Sequence, residues 1–140
     1  MKMLSVAVFA VVLSMSVVGS EAAMARLMPT HRDLEYAEVE GQSLKLDLYV
    51  PKNVKSPPLM VWIHGGGWRN GDKRMVNRAV VRLSQAGYAV ASINYRLKDL
   101  TIHPKHIHDC KAAVRWLRAH ASEYGYDPKR VAVGGGSAGG

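Results

Sequence analysis

Ser137 sits among small residues. The run Gly134-Gly135-Gly136-Ser137-Ala138-Gly139-Gly140 contains the pattern G-x-S-x-G. In that pattern the serine occupies a sharp, strained strand-to-helix turn, and its flanks must be small because larger side chains would strike the strand or the helix. The turn holds the hydroxyl clear of the sheet, where a base and a substrate can both reach it. The same residues also satisfy G-x-G-x-x-G through Gly134, Gly136 and Gly139, the arrangement in which glycines let a pyrophosphate approach a helix N-terminus. A flexible glycine loop without chemistry is a third reading, and the segment alone leaves all three open. A second run, His64-Gly65-Gly66-Gly67-Trp68, bears on the choice. Acyl transfer needs backbone N–H donors aimed at a developing oxyanion. Consecutive glycines allow the dihedrals that turn neighbouring amides into one cavity. A dinucleotide site gives no reason for this second run.

The elements that must position these loops read as follows. Leu44 to Val50 alternates with period two, as a half-buried strand does. Leu34 to Val39 alternates more weakly, and Glu40-Gly41-Gln42 turns between the two as a hairpin. Residues 26–32 read as a short leader, and Pro51 to Pro58 as a turn-rich connection. Leu59 to Ile63 is a continuous apolar run, which suits a strand buried on both faces of a parallel sheet. Met75, Val76, Ala79, Val80 and Leu83 lie at helical spacing within residues 73–86, with Gly87 as the stop. Tyr88 to Ile93 is a second buried strand. Pro104 fits the first turn of a further helix that carries Ile107, Cys110, Val114, Leu117 and Ala121 on one face and ends at Gly125. Asp127-Pro128 turns the chain into a third buried strand, Val131 to Val133. The expected fold class is therefore α/β: an antiparallel hairpin followed by a right-handed, parallel β-α-β-α-β series.

The order of the parts then decides between the readings. If the hairpin supplies two strands, Leu59 to Ile63 is the third, and the His64 loop follows it. In α/β hydrolases an H-G-G-G loop lies between the third strand and the first helix, and the second oxyanion donor is the amide after the nucleophile. One helix, one strand and one helix separate this loop from the strand that leads to Ser137. A dinucleotide fingerprint usually follows the first strand instead.

The chain resembles the α/β hydrolases, in particular the hormone-sensitive-lipase-like and feruloyl/acetyl-xylan-esterase-like (BD-FAE-like) group. The resemblance rests on Leu46-Asp47-Leu48-Tyr49-Val50-Pro51, His64 to Trp68 with Gly71-Asp72-Lys73, and Asn94-Tyr95-Arg96-Leu97. It continues in His108 to Leu117, Asp127-Pro128-Lys129-Arg130 and the Ser137 elbow, so it spans roughly residues 32–140. It implies the N-terminal half of that fold and a serine carboxylic-ester hydrolase. Ser137 is then the nucleophile, and the amides of Gly66, Gly67 and Ala138 are the oxyanion donors. His64 is read as holding the loop in shape rather than as a base. Trp68 either lines an acyl pocket or packs under the loop. Asp109 and Arg96 are either a buried structural pair or two unrelated surface charges. Amidase or peptidase chemistry, a non-catalytic binding module of the same fold and, more remotely, a dinucleotide-binding protein are the alternatives.

In this fold the triad runs Ser, then acid, then His, whereas all six histidines precede Ser137. The expectation is thus that these 140 residues alone lack the triad acid and histidine and have little activity. The strand before Ser137 is expected to be an uncovered apolar edge. His103, His106 and His108, or His106 with Cys110, match no closed zinc set, so neither a metal nor any other cofactor is expected.

Composition bounds the rest. The 48% apolar and 21% charged residues are those of a globular protein, excluding disordered, collagenous and disulfide-scaffold classes. The net charge of +8 comes from basic residues spread along the chain, so a solvated surface rather than a nucleic-acid site is read. Residues 1–25 read as a secretory signal: Lys2, an apolar stretch from Leu4 to Val18, and Ala23-Met24-Ala25 as a small-x-small cleavage site. The apolar stretch is short for a span. The expected domains are therefore a signal over residues 1–25 and an esterase-like portion over residues 26–140. The product is expected to be secreted or periplasmic, without a stable membrane anchor, and to act on small or polysaccharide-linked esters. Cys110 is the single cysteine, which excludes a disulfide within the chain.

Overall fold

A computed structural model describes residues 27–97 and 103–140, so the expected signal lies outside the described residues. Five strands form one sheet: β1 (His31–Val39), β2 (Gln42–Tyr49), β3 (Pro58–Ile63), β4 (Ala89–Ile93) and β5 (Asp127–Gly135). Their order is β1-β2-β4-β3-β5. β1 and β4 flank β2 antiparallel, and β4 and β5 flank β3 in parallel. The expected hairpin and parallel series are both present. β1 begins at His31, however, within the segment read as leader, because Thr30 and residues after it already pair along β2. Glu40 and Gly41 both take positive φ, +53° and +78°. That is the two-residue turn whose twist matches a hairpin.

The two faces of the sheet differ. On one, Leu46, Leu48, Leu59, Val61, Ala91 and Ile93 pack beneath Ala113 and Leu117 of α2 (Lys105–Ala119) and Ala121 of α3 (Ala121–Tyr124). On the other, Tyr49 and Val90 meet Val81 of α1 (Arg78–Val81), with Met60, Val76, Val80 and Leu83 around them. β4 lies between β2 and β3 with all five residues buried, which accounts for a run that is apolar but for Ser92. β5 is an edge strand among the described residues, and its Val133 is 53% exposed.

Two helix expectations are corrected. Residues 73–86 form no single helix. A 3-10 turn at Lys73–Met75 breaks where Val76 and Asn77 take extended backbone, and α1 restarts with the Asn77 side chain accepting from the Ala79 amide. A second 3-10 stretch, Arg82–Ala86, ends at Gly87 in the left-handed region. An asparagine at an N-cap is worth about 1 kcal/mol, enough to reset so short a helix. The helix expected to reach Gly125 breaks at His120, which leaves helical dihedrals as its Nδ1 approaches the Trp116 carbonyl. The inner face of α2 is Asp109, Ala113 and Leu117, and Ile107 is 44% exposed.

Candidate active site

β3 and β5 are adjacent and parallel, so the loops that follow them emerge at the same edge of the sheet. This brings His64 and Gly65 against Gly136-Ser137, although Gly65 and Ser137 are 72 positions apart in the chain. Gly136 donates its amide to the Ile63 carbonyl at 3.3 Å. Ser137 opens a 3-10 turn, Ser137–Gly139, with φ of +54°. That left-handed conformation is uncommon for a residue with a Cβ and costs about 1–2 kcal/mol. Its side chain is exposed. The elbow is closely packed from behind. A Cβ on Gly139 would lie 2.2 Å from the Ile63 carbonyl oxygen, and one on Gly135 2.1 Å from the Gly139 oxygen. Small residues here are a steric requirement.

The loop from His64 to Asn70 is shaped by its own carbonyls. The amides of Arg69 and Asn70 both donate to the Gly66 oxygen, at 3.2 and 3.0 Å. Gly66 and Gly67 take φ of +124° and +63°. Among the described residues their amides have no hydrogen-bond partner. Gly65 makes the closest approach: a Cβ there would lie 2.5 Å from the Gly136 oxygen and 3.2 Å from the Ser137 Cβ. Ala138 follows Ser137 within the same turn.

His64 is buried, at 2% exposure. Its ring stacks on Tyr95 with centroids 4.6 Å apart, and its Nδ1 lies 2.8 Å from the Gly65 carbonyl. Trp68 is 53% exposed, so it does not pack under the loop. Arg96 and Asp109 form a buried bidentate pair. Nε donates to Oδ2 at 2.9 Å and Nη2 to Oδ1 at 2.8 Å, while the other guanidinium nitrogen reaches Glu40. His103, His106 and His108 are not brought into a metal set: no group of three potential ligands occurs among the described residues.

Sequence reading assigned no role to Lys73, which is buried with Asp47 and Asp33 on its ammonium at 2.7 and 2.9 Å. Desolvation pushes its pKa down, but the hydrogen bonds it donates to both carboxylates, with their charge, outweigh this and hold it above the ordinary value. Asp72 likewise meets a desolvation that raises its pKa. The Arg74 amide and guanidinium and the Asn94 amide group reverse this and hold the carboxyl below its usual range. The alternation of β2 gave no signal, since it places Asp47 with Lys45 on the polar side of the strand. The cavity lined by Asp33, Asp47, Asp72, Lys73 and Arg74 does not include Ser137.

The BD-FAE family profile matches residues 46–140, which takes in the His64 loop, the buried pairs and the elbow. The chain belongs to the BD-FAE family. This BD-FAE chain is 38% identical over 112 residues to the probable carboxylic ester hydrolase LipM of Mycobacterium tuberculosis, covering 77% of this chain and 26% of LipM. It is 45% identical over 95 residues to the carboxylic ester hydrolase LipN of the same organism, covering 66% of this chain and 25% of LipN. A thermophilic esterase of Thermogutta terrifontis, Est2, superposes with a TM-score of 0.73 at 30% identity, over 80% of this chain and 42% of that one. The same esterase is also known phosphorylated by paraoxon. The chain spans about a quarter of the length of these curated relatives. With these likenesses, the fold is that of the N-terminal half of an α/β hydrolase.

Proposed function

We propose that the chain carries the nucleophile and the oxyanion loop of a serine carboxylic-ester hydrolase. The observation that supports this reading is the packing of Gly65 against Ser137, an exposed serine at positive φ, with the Gly66 and Gly67 amides next in the chain and without a partner among the described residues. Ser137 Oγ attacks the ester carbonyl carbon, and the carbonyl oxygen takes the negative charge. The amides of Gly66, Gly67 and Ala138 donate to that oxygen. The alkoxide or alcohol leaves, an acyl-enzyme remains on Ser137, and water releases the acid. One such donor is typically worth about 10²–10³ in rate.

The hydroxyl needs a base. His64 does not suit that role, since its ring is stacked on Tyr95 and its Nδ1 faces the Gly65 carbonyl. The activity proposed is that of the whole protein, in which an acid and a histidine follow the nucleophile in chain order. The names of the relatives support ester substrates. Export directed by residues 1–25 and a small or polysaccharide-linked ester complete the proposal. The test is a fluorophosphonate probe on the intact protein, and labelling that persists in Ser137→Ala would refute the assignment. N-terminal sequencing of the exported product tests the cleavage after Ala25.

A further inference from the structure

Asn94, Tyr95 and Arg96 directly follow β4, and each side chain ties to a different part of the molecule. The Asn94 Oδ1 accepts from the Lys73 amide at 2.5 Å, and its Nδ2 donates to Asp72 at 3.3 Å. The Tyr95 hydroxyl donates to the His64 carbonyl at 2.9 Å, while its ring stacks on the His64 imidazole. Arg96 binds Asp109 of α2 and Glu40 of the hairpin turn. The tripeptide is itself anchored, since the Tyr36 hydroxyl donates to the Asn94 carbonyl and the Asn94 amide donates to Lys45.

Two consecutive residues thus hold the two ends of one loop. Tyr95 fixes its start at His64, and Asn94 fixes its end at Asp72-Lys73. The Ser92 hydroxyl adds a bond to the Lys73 carbonyl at 2.6 Å. The ends also touch each other: a Cβ on Gly71 would lie 2.1 Å from His64 Nδ1. Between the ends, the Gly66 and Gly67 amides are left without partners among the described residues, and the loop's internal bonds are those of the Arg69 and Asn70 amides to the Gly66 carbonyl. Tyr95 is 4% exposed, so its bond to the loop is screened from water.

We propose that Asn94 and Tyr95 are positioning residues that clamp the loop from His64 to Lys73 and keep its free amides aimed at Ser137. The proposal rests on the reading of those amides as oxyanion donors. Misplacing such a donor by about 1 Å can cost on the order of 10²-fold in rate. Loss of a buried hydrogen bond loosens a segment by about tenfold in local opening.

The test compares Tyr95→Phe and Asn94→Ala with the parent in the intact protein, by amide hydrogen exchange and by turnover of p-nitrophenyl acetate. Tyr95→Phe keeps the ring stack and removes only the hydroxyl. Exchange over residues 64–73 should rise about tenfold in both variants, with residues 105–119 of α2 unchanged. In Tyr95→Phe, kcat should fall about tenfold with KM within about twofold, as for removal of an outer support. Loop exchange unchanged in both variants overturns the clamp. So does faster exchange with an unchanged kcat, because the loop would then be held for no catalytic purpose. A parent that neither turns over the ester nor takes a fluorophosphonate removes the hydrolase reading, while the exchange comparison still decides whether the two residues hold the loop.

Discussion

Gly65 lies in contact with Ser137: there is 3.2 Å between the Ser137 Cβ and the position a Cβ on Gly65 would take, and 2.5 Å from that position to the Gly136 oxygen. The two loops are therefore a single packed unit at the edge shared by β3 and β5. Gly65→Ala must separate them or shift the elbow. The expected result is a loss of about 1–3 kcal/mol, as for overpacking, and a fall in ester turnover of about 10²-fold. Urea melts and kcat/KM of the intact protein check both.

Ser137 holds φ of +54°, so its substitutions separate chemistry from strain. Ser137→Ala and Ser137→Gly should both abolish fluorophosphonate labelling. Ser137→Gly relieves the left-handed strain and should be more stable than Ser137→Ala by about 1 kcal/mol, net of glycine's extra chain entropy. Equal midpoints for the two variants would mean the turn is not strained.

The Arg96–Asp109 pair is buried on both sides, at 5% and 3% side-chain exposure. Asp109→Ala leaves the guanidinium facing only Glu40 and should cost about 3–5 kcal/mol. The double variant Arg96→Met/Asp109→Leu should recover much of that loss, because a neutral pair needs no counter-charge. Chemical denaturation of the two variants against the parent decides it.

Acid should unfold the protein through a defined set of carboxylates. Hydrogen bonds and charge from Lys73 lower the pKa of Asp33, those from Lys105 lower Glu40, and those from Arg130 lower Asp127. Asp72 is lowered as well, against its desolvation. Groups depressed by folding contribute stability above their unfolded values, about 4, and lose it as pH falls through the folded ones. Stability should be level from about pH 6 to 5 and fall below about pH 4. Asp72→Asn should make that fall shallower.

Burial pushes the Cys110 thiol up, with the Asp109 charge adding to it, to about 11. At pH 8 its thiolate should be about a hundredfold scarcer than in the unfolded chain. Iodoacetamide should modify native Cys110 at least that much more slowly than the urea-unfolded protein. Because folding raises this pKa, any stabilisation is present below the unfolded value and is lost as pH climbs through about 11.

Much was legible from local pattern. The hairpin, the inner strands β3 and β4, both glycine runs and the stops at Gly87 and Gly125 follow from alternation, apolar runs and turn chemistry, whereas β5, read as buried, is an exposed edge. Those signals depend on residues close in sequence, and close-range sterics decide them. The span 73–86 was misread because apolar spacing says nothing of the Asn77 cap that divides it. The role of Lys73 was illegible because β2 looked half-exposed, and only the turn folded over its second face buries Asp47.

The sequence by itself determined which residues could carry the chemistry: a serine whose neighbours are small enough for a tight turn, and glycines able to expose amides. The tertiary structure alone decided that they meet. Parallel pairing of β3 with β5 puts residues 65 and 137 in contact. The end of β4 supplies Asn94 and Tyr95 to both ends of the loop. Strand order is set by how a twisted sheet buries its two faces, a global condition that no local spacing encodes.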